Sequence, residues 1–586
     1  MGPHSTPALR WWAPAGTGTP NATEYSSGVR SGAAIAKIQG VRVVLVPGND
    51  ILESSPNVLR QPVLRIFRYH PCSSSYDPAT TIAPTLMRIE LAAADYDYNA
   101  SAERVYSVPL VLPNDKVVIQ TTRRIRCYDL SSASVFNPND CELQSAPAPL
   151  WSFAGTTGNF LISRGASPAI GRKKLNDSTE YIFAVGQRQN ESQLVALNPN
   201  TASGGNPLTW SISIGGSTTD IRSCPAIGPI IGTDESRNFV YVSKYNGGDP
   251  ELYAVFSDNT GSPTPHTAEI DLLFDTYGSP RDPNGSFGSV AVHSDNGNLA
   301  VCSDDYGFYS FDNLTHSSNQ LQYRGTTPID SGSFISMTPG LFPDRHAIFW
   351  NEAASLRRVL DTGTGQEEAG AFDLTIGKGW EWGAPALDMA GRIYVNTVGT
   401  SGDDHGQRVL AFENRTVENQ ILQAWASNVF TPPTITIGSD TYALKQDFES
   451  PIAMDEDGTL ICTNNGFVLA LRPLLGDLNG DGCVNECDVD AFVTALVDPE
   501  EYDGTLGEGF GAVNRLGVCD CNNDGVCDNF DIDCFEALAE TPVECSDGYE
   551  EQECEGEGDG FAGPSQGSTW QHFYETLDAL RNYFGM

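Results

Sequence analysis

The chain contains no apolar run approaching the roughly twenty residues that a membrane-crossing helix needs, so no span is expected. Basic residues are scarce: 34 Lys and Arg stand against 75 Asp and Glu, a net charge of −41 over 586 residues. Such a surface repels phosphate, which argues against nucleic acid and anionic membrane as partners. Helical periodicity is nearly absent from residue 8 to about 473. The eight histidines show no H-E-x-x-H or comparable metal spacing, no G-x-S-x-G elbow occurs, and no two cysteines are adjacent. The opening MGPHSTPALRWWAPAG lacks a basic segment followed by an apolar one, so no secretory signal is visible and export implies a leader absent from this sequence.

What is present is repetition. From residue 8 to 473 short β-rich runs alternate with Gly/Pro/Asn/Asp turns, in a degenerate unit with a small-residue/Pro/apolar entry. A turn, an apolar strand, a second turn and a strand like L-x-A-L follow, and an aromatic strand closes the unit. SPAIG at Ser167 leads to LVALNPN and LTW at Trp210; CPAIG at Cys224 leads to ELYAVF; GAPALDMAGRIYV at Gly383 leads to RVLAFEN and LQAW at Trp425. Weaker copies begin near Ser289, Ile335 and Ser450, and looser ones at Ser107 and Ala33, eight units in all. The spacing suits four-stranded blades of a mainly β, eight-bladed propeller, with seven blades as the alternative count. A β-sandwich array would not repeat one entry motif. The last unit ends at FVLALRPL without an aromatic closing strand, whereas LRWWAPAG at the N-terminus resembles PLWSFAG at Trp151 and LTWSISIG at Trp210. Residues Leu9–Ala13 are therefore expected to pair with Phe467–Leu471 and remove two exposed sheet edges.

The pattern A-P-A-L-D-x-x-G-x-I-Y-V followed by L-x-A-F/L resembles the PQQ-type propeller of quinoprotein alcohol dehydrogenases, whose blades also occur in non-catalytic relatives. The redox members of that family use a vicinal cysteine pair against the quinone, which this chain lacks, so PQQ-dependent oxidation is disfavoured. Trp380 and Trp382 in KGWEWGAPAL either line a binding surface that stacks on sugar rings or, as buried aromatics more often do, pack between blades.

After the propeller, DLNGDGCVNECD from Asp477 and DCNNDGVCDNFD from Asp520 form two twelve-residue loops in register, each followed by a helix-periodic stretch. Asp477, Asn479 and Asp481 stand at positions 1, 3 and 5 of the first, Cys483 offers its carbonyl at 7, Asn485 acts at 9 and Asp488 closes at 12. Asp520, Asn522, Asp524, Val526, Asp528 and Asp531 hold the same places in the second. Alternate residues of a sharply turned loop converge their oxygens, which is the donor set that Ca²⁺ takes, so two ions are expected. A metal-free turn is the plainer reading of one loop, and duplication argues against it. The pair resembles a type I dockerin, which implies a calcium-loaded EF-hand-like helical module that attaches its protein to a cohesin. That family reads its partner largely through positions 10 and 11, here Glu486–Cys487 and Asn529–Phe530. Phe492 and Phe535 either present two similar faces to such a partner or, as their helical phase favours, form the module's core.

Eight of the fourteen cysteines lie between Cys483 and Cys554. Crowding of that kind reads as disulfides in an oxidising compartment, with zinc as the competing explanation. In the large domain Cys127 and Cys141 form the obvious local pair. The expected organisation is a propeller over 1–473, the calcium module over 474–541, an acidic linker over 542–567 and an amphipathic helix over 568–586. That last helix folds back onto the protein or docks on a partner. Together with the resemblances, these features predict an exported bacterial protein, secreted, at the cell surface or periplasmic. Its propeller is expected to be a binding scaffold, with a glycan as a candidate ligand, and its calcium module an attachment device in polysaccharide use. A carbohydrate-active enzyme cleaving O-glycosyl bonds is the alternative, and no catalytic residue is assignable.

Overall fold

The computed structural model describes residues 8–14 and 24–25, most of 32–214, and the strand segments with a few adjoining residues between 224 and 472. In the C-terminal part it describes 475–478, 484, 488–499, 502, 515–520 and 527–540. Trp380, Trp382, the acidic stretch 542–567 and the expected helix over 568–586 lie outside the described residues.

The described part of the large region is built from antiparallel meanders of four strands. Eight such sheets follow one another along the chain, over 34–96, 110–153, 169–213, 226–271, 291–327, 334–373, 386–426, and 453–472 together with 8–14. They are called sheets I to VIII here. Each of the eight repeat units of the sequence begins at or within a few residues of the first strand of one sheet. Sheet I also holds a short fifth strand, Asp95–Tyr96, beside Leu59–Arg68. A further three-stranded sheet joins Glu24–Tyr25, in parallel, to the hairpin Ile435–Ile437 and Asp440–Leu444.

The first strands of neighbouring sheets lie against one another. Ala34–Ile38 of sheet I contacts Ala453–Met454 of sheet VIII on one side and Leu110–Val111 of sheet II on the other. The same relation links sheets III to IV, IV to V, V to VI and VI to VII. Radial sheets whose inner strands meet in sequence are the architecture of a β-propeller. The apolar clusters follow the same plan. Ile38, Val43, Leu64 and Ile66 of sheet I pack with Val117, Ile119 and Tyr128 of sheet II. Another cluster runs from Val118 and Trp151 through Phe183 and Leu194 to Val240 and Tyr253, joining sheets II, III and IV. Sheets II and III are therefore buried on both faces, which explains why a strand such as YIFAVG reads as a continuous apolar run.

Sheet VIII takes its fourth strand from the other end of the chain. Ala8–Pro14 pairs antiparallel with Phe467–Arg472, Trp11 opposite Ala470, Trp12 opposite Leu469 and Ala13 opposite Val468, with one bulge between Leu9 and Trp11. This is the pairing expected from the missing aromatic strand. Because successive strand residues point to opposite faces, the two tryptophans part company. Trp11 enters the cluster with Val44, Val46, Phe67 and Tyr69 of sheet I, and Trp12 enters the one with Tyr394, Val409 and Ala411 of sheet VII. Both are essentially inaccessible, 0% and 1% exposed. A W-W dipeptide fits here because the strand is covered on both sides.

The pairing of Cys127 with Cys141 is corrected by the structure. Cys127 is a free, buried thiol. It sits opposite Val118 and Trp151 in sheet II, where strand alternation sends its side chain into the core. Burial pushes that thiol up to about 12. Cys141 is disulfide-bonded, but not to Cys127.

Beyond the last strand the described elements are helical. Val489–Val497 and Ile532–Glu540 follow the two acidic loops, and a short helix, Arg515–Cys519, precedes the second loop. Among the described residues no helix is long and apolar enough to cross a membrane.

Candidate functional site

The two acidic loops close in related ways. In the first, Asp477 and Asp488, positions 1 and 12, are 2% and 0% exposed. The Asp488 carboxylate accepts a hydrogen bond from the Leu478 N–H at 2.8 Å, which ties position 12 to position 2 and draws the loop ends together. The Tyr502 hydroxyl donates to the Leu478 carbonyl at 2.9 Å from outside the loop. In the second loop, Asp520 and Asp531 are 6% and 0% exposed. Asp531 accepts from the Asp528 N–H at 2.9 Å while Asp528 accepts from the Phe530 N–H at 2.8 Å, a reciprocal cap on the turn Asn529–Asp531 that leads into Ile532–Glu540. The first-position and last-position carboxylates of both loops are thus buried.

Asn479, Asp481, Cys483, Asn485, Asn522, Asp524 and Val526 lie outside the described residues. Among those described, no three His, Cys, Asp or Glu side chains form a metal-binding group. The described members that the sequence assigned as side-chain ligands, Asp477, Asp488, Asp520, Asp528 and Asp531, offer oxygen alone, the donor chemistry that suits a hard divalent cation.

Helix Val489–Val497 and helix Ile532–Glu540 meet through Phe492 and Phe535, whose rings stack 4.0 Å apart at 10°. Both are buried, within a cluster that includes Leu478, Val489, Val518 and Ile532. These phenylalanines are core, and no partner can reach them. Accessible apolar surface on these elements lies instead at Phe530, 66% exposed at position 11 of the second loop, and at Val497, 50% exposed. Replacing Phe535 with alanine is expected to cost about 3–5 kcal/mol, the usual range for a large aromatic removed from a packed core. Hydrogen exchange should then rise in both helices together. Unchanged protection in 489–497 would show that the two helices do not share one core.

In the β-sheet region the acidic residues of the repeat do structural work. In L-D-M-A-G-R, the Asp388 carboxylate accepts from the Arg392 N–H at 2.8 Å and from the Tyr394 hydroxyl at 3.0 Å, holding the turn between the first two strands of sheet VII. The corresponding turn of sheet VIII, M-D-E-D-G-T, carries a larger cluster. Asp457 accepts from Arg10 of the N-terminal strand at 2.8 Å and from the Tyr69 hydroxyl at 2.6 Å, and Arg10 also donates to the Thr459 hydroxyl at 3.0 Å. Arg42 of sheet I reaches Asp455 at 3.3 Å and also Glu456, and Lys37 reaches Glu456 at 3.0 Å. Both guanidinium groups lie over the Tyr69 ring, at 4.7 and 5.7 Å from its centre. Burial alone would raise the Asp457 carboxyl, but the charge of Arg10 and the hydrogen bonds from Tyr69 and Thr459 outweigh it and hold the group below the ordinary carboxylate value. Asp455 moves the other way, raised by burial and by the neighbouring charge of Asp457. No sequence motif joins the residues of this cluster. Its one sequence signal is the Asp-x-x-Gly turn of the repeat, which in sheet VIII also carries Glu456 and Asp457.

A cleft of about 440 Å³ opens between the first strands of sheets I and II, lined by Ala34, Ile35, Lys37, Pro109, Val111 and Pro113 among others. Aliphatic groups, prolines and a lysine already paired with Glu456 supply neither a nucleophile nor an acid–base pair.

No protein-family model matches the chain, and no curated protein matches it in sequence. Several solved structures resemble it at low identity. BamB from Moraxella catarrhalis is 14% identical, with 66% of this chain and 94% of that one covered and a TM-score of 0.34. The Dos1 propeller is 8% identical over 62% and 78% of the two chains, with a TM-score of 0.37. The WD40 domain of Toxoplasma gondii coronin is 12% identical over 80% and 87%, with a TM-score of 0.35. Likenesses this distant say nothing about ligand or activity. By its own sheet topology the chain is a mainly β, propeller-type protein with short C-terminal helices.

Proposed function

We propose that this is an exported calcium-binding attachment protein. Its eight sheets form the blades of a single closed propeller that serves as a binding scaffold. Its C-terminal loops and helices form a dockerin-like module that loads two Ca²⁺ and fixes the protein to a cohesin-like partner. The observation that carries the reading is the burial, in both copies, of the carboxylates at positions 1 and 12, on loops that repeat in register. Exposure of Phe530 at position 11, where the dockerin family reads its partner, supports the attachment role. The inner strands of sheets VIII, I and II lying side by side support closure of the ring. A glycan is the ligand class proposed for the propeller, and a carbohydrate-active enzyme, glycoside hydrolase or lyase, is the second reading. When bound, calcium supplies charge compensation and fixes the loop. The chain's own contribution is to hold its oxygens in place through the Leu478–Asp488 and Asp528–Asp531 hydrogen bonds.

Calorimetric titration of the metal-depleted full chain with Ca²⁺ is expected to show two ions per molecule. One of them should be lost on Asp477→Ala and the other on Asp520→Ala. Because the ion binds the folded loops and not the unfolded chain, saturation at a hundred times Kd stabilises the module by about 2.7 kcal/mol per site. Less than one ion per oxidised, folded molecule would end the calcium reading and the docking role with it. A glycan array read beside a polysaccharide-hydrolysis screen separates scaffold, which binds without turnover, from enzyme.

A further inference from the structure

Aligning the two loops on Asp477 and Asp520 makes Gly476 equivalent to Cys519 and Val484 equivalent to Cys527. In the second loop those two positions are joined by a disulfide, with Cα atoms 5.4 Å apart. In the first they touch without a bond. Gly476 adopts φ +91°, and a Cβ placed on it would come within 2.7 Å of a Val484 methyl, so the valine packs directly against the glycine backbone. Val484, Cys519 and Cys527 are all buried. The two copies therefore close the same point of the loop by different chemistry. That point is the residue before ligand position 1 held against position 8, between the carbonyl donor at 7 and the side chain at 9.

We propose that the Cys519–Cys527 disulfide is a covalent strap that preorganises the second calcium loop, doing there what the Gly476–Val484 contact does in the first. The affinity of one site then depends on a bond the other lacks. The inference rests on the calcium reading above. Cutting the strap unties Asp520, beside Cys519, from Asp528, beside Cys527, and the ordering must then be supplied by the binding event itself. The Gly476 N–H donates to the Val518 carbonyl at 2.9 Å, which lashes the first clamp to the residue beside the strap. That backbone link does not depend on the sulfur atoms, and the first loop keeps its closure when they part.

Full-chain protein is titrated with Ca²⁺ after metal depletion, oxidised or treated with a phosphine reductant. Two variants accompany it: Cys519→Ala/Cys527→Ala, which removes the strap, and Cys519→Gly/Cys527→Val, which transplants the clamp of the first loop. The expected result is two sites in the oxidised protein and about a tenfold weakening of one on reduction, in keeping with the loss of a short cross-link. The alanine pair should be weak at that site under both conditions, and the glycine/valine pair should bind both ions under both. Two unchanged sites in the reduced protein, or in the alanine pair, would overturn the strap. So would a glycine/valine variant that weakens on reduction as much as the parent, since another disulfide would then be responsible. Limited proteolysis in EDTA reads the strap without the metal: reduction should raise cleavage within 520–531 and leave 477–488 unchanged, whereas equal cleavage of both loops counts against it. Absence of any calcium uptake by the oxidised protein would remove the calcium reading itself, and the proteolysis result would still decide whether the strap holds the loop.

Discussion

Replacing Trp11 and Trp12 together with alanine is expected to unfold the β-sheet region under conditions where the parent is stable. Each is a fully buried indole, and removing one from a packed core costs about 3–5 kcal/mol. The two sit in different apolar clusters, one against sheet I and the other against sheet VII, so their losses approach additivity. Their sum is comparable to the whole stability of an ordinary domain, about 5–15 kcal/mol. A variant lacking residues 1–14 should behave similarly, because it also strips the ladder from Phe467–Arg472 and leaves an apolar edge open to other chains. Scanning calorimetry with light scattering checks both effects. A truncated protein that melts like the parent and stays monomeric would show that the terminal strand contributes nothing to closure. The single variants separate the two interfaces, since Trp11→Ala should loosen the contact with sheet I and Trp12→Ala that with sheet VII.

Asp457→Ala is expected to be nearly as damaging, by about 3–5 kcal/mol, because it leaves the Arg10 guanidinium buried without its counter-charge. Glu456→Gln, one residue away, should cost little, since the Glu456 carboxylate is itself exposed, and ion pairs open to solvent contribute little. The contrast tests burial as the deciding variable, because the two residues share a turn and a charge. The same cluster sets a pH dependence. The Asp457 carboxyl lies below its ordinary value in the folded protein. Its contribution is therefore present in full above the unfolded carboxylate range near pH 4, and it is lost as pH falls through the folded value. Asp455, raised by burial and by Asp457 despite the nearby charge of Arg42, opposes this: its ionisation costs stability at neutral pH, and Asp455→Asn should recover some of it. Urea midpoints measured between pH 3 and pH 7 should fall steeply on the acid side in the parent and less so in Asp457→Asn. Parallel curves for the two proteins would place the acid sensitivity elsewhere.

Both effects trace to one feature of the chain, the meeting of its N-terminal strand with its last sheet. That meeting was visible in advance for a simple reason. The clearest repeat units end on an aromatic strand, as at Trp151, Trp210 and Trp425, the last lacked one, and the start of the chain carried an unused copy in LRWWAPAG. Strand alternation then explains why two adjacent tryptophans both had to be buried. The polar part of the same junction was not visible. Arg10, Tyr69 and Asp457 are scattered over 447 positions and belong to no common motif. Only the packing of sheet VIII against sheet I brings them within hydrogen-bonding distance.

Cysteine pairing shows the limit from the other side. Proximity in sequence favoured Cys127 with Cys141, but pairing depends on where the Cβ points, and Cys127 points into the core of sheet II. The strap between Cys519 and Cys527 was equally hidden among eight crowded cysteines, because its logic lies in three-dimensional equivalence with Gly476 and Val484. By itself, then, the sequence determined what is periodic or local: a repeating β architecture, the terminal strand that completes it, two acidic loops in register and the apolar phase of the helices behind them. Tertiary structure alone decided which distant charges share a low-dielectric site, which cysteines meet, and that Phe492 and Phe535 face each other while Phe530 faces solvent. Period and turn chemistry are carried by neighbours along the chain. Contacts between elements depend on the direction of each side chain in space, which no local pattern encodes.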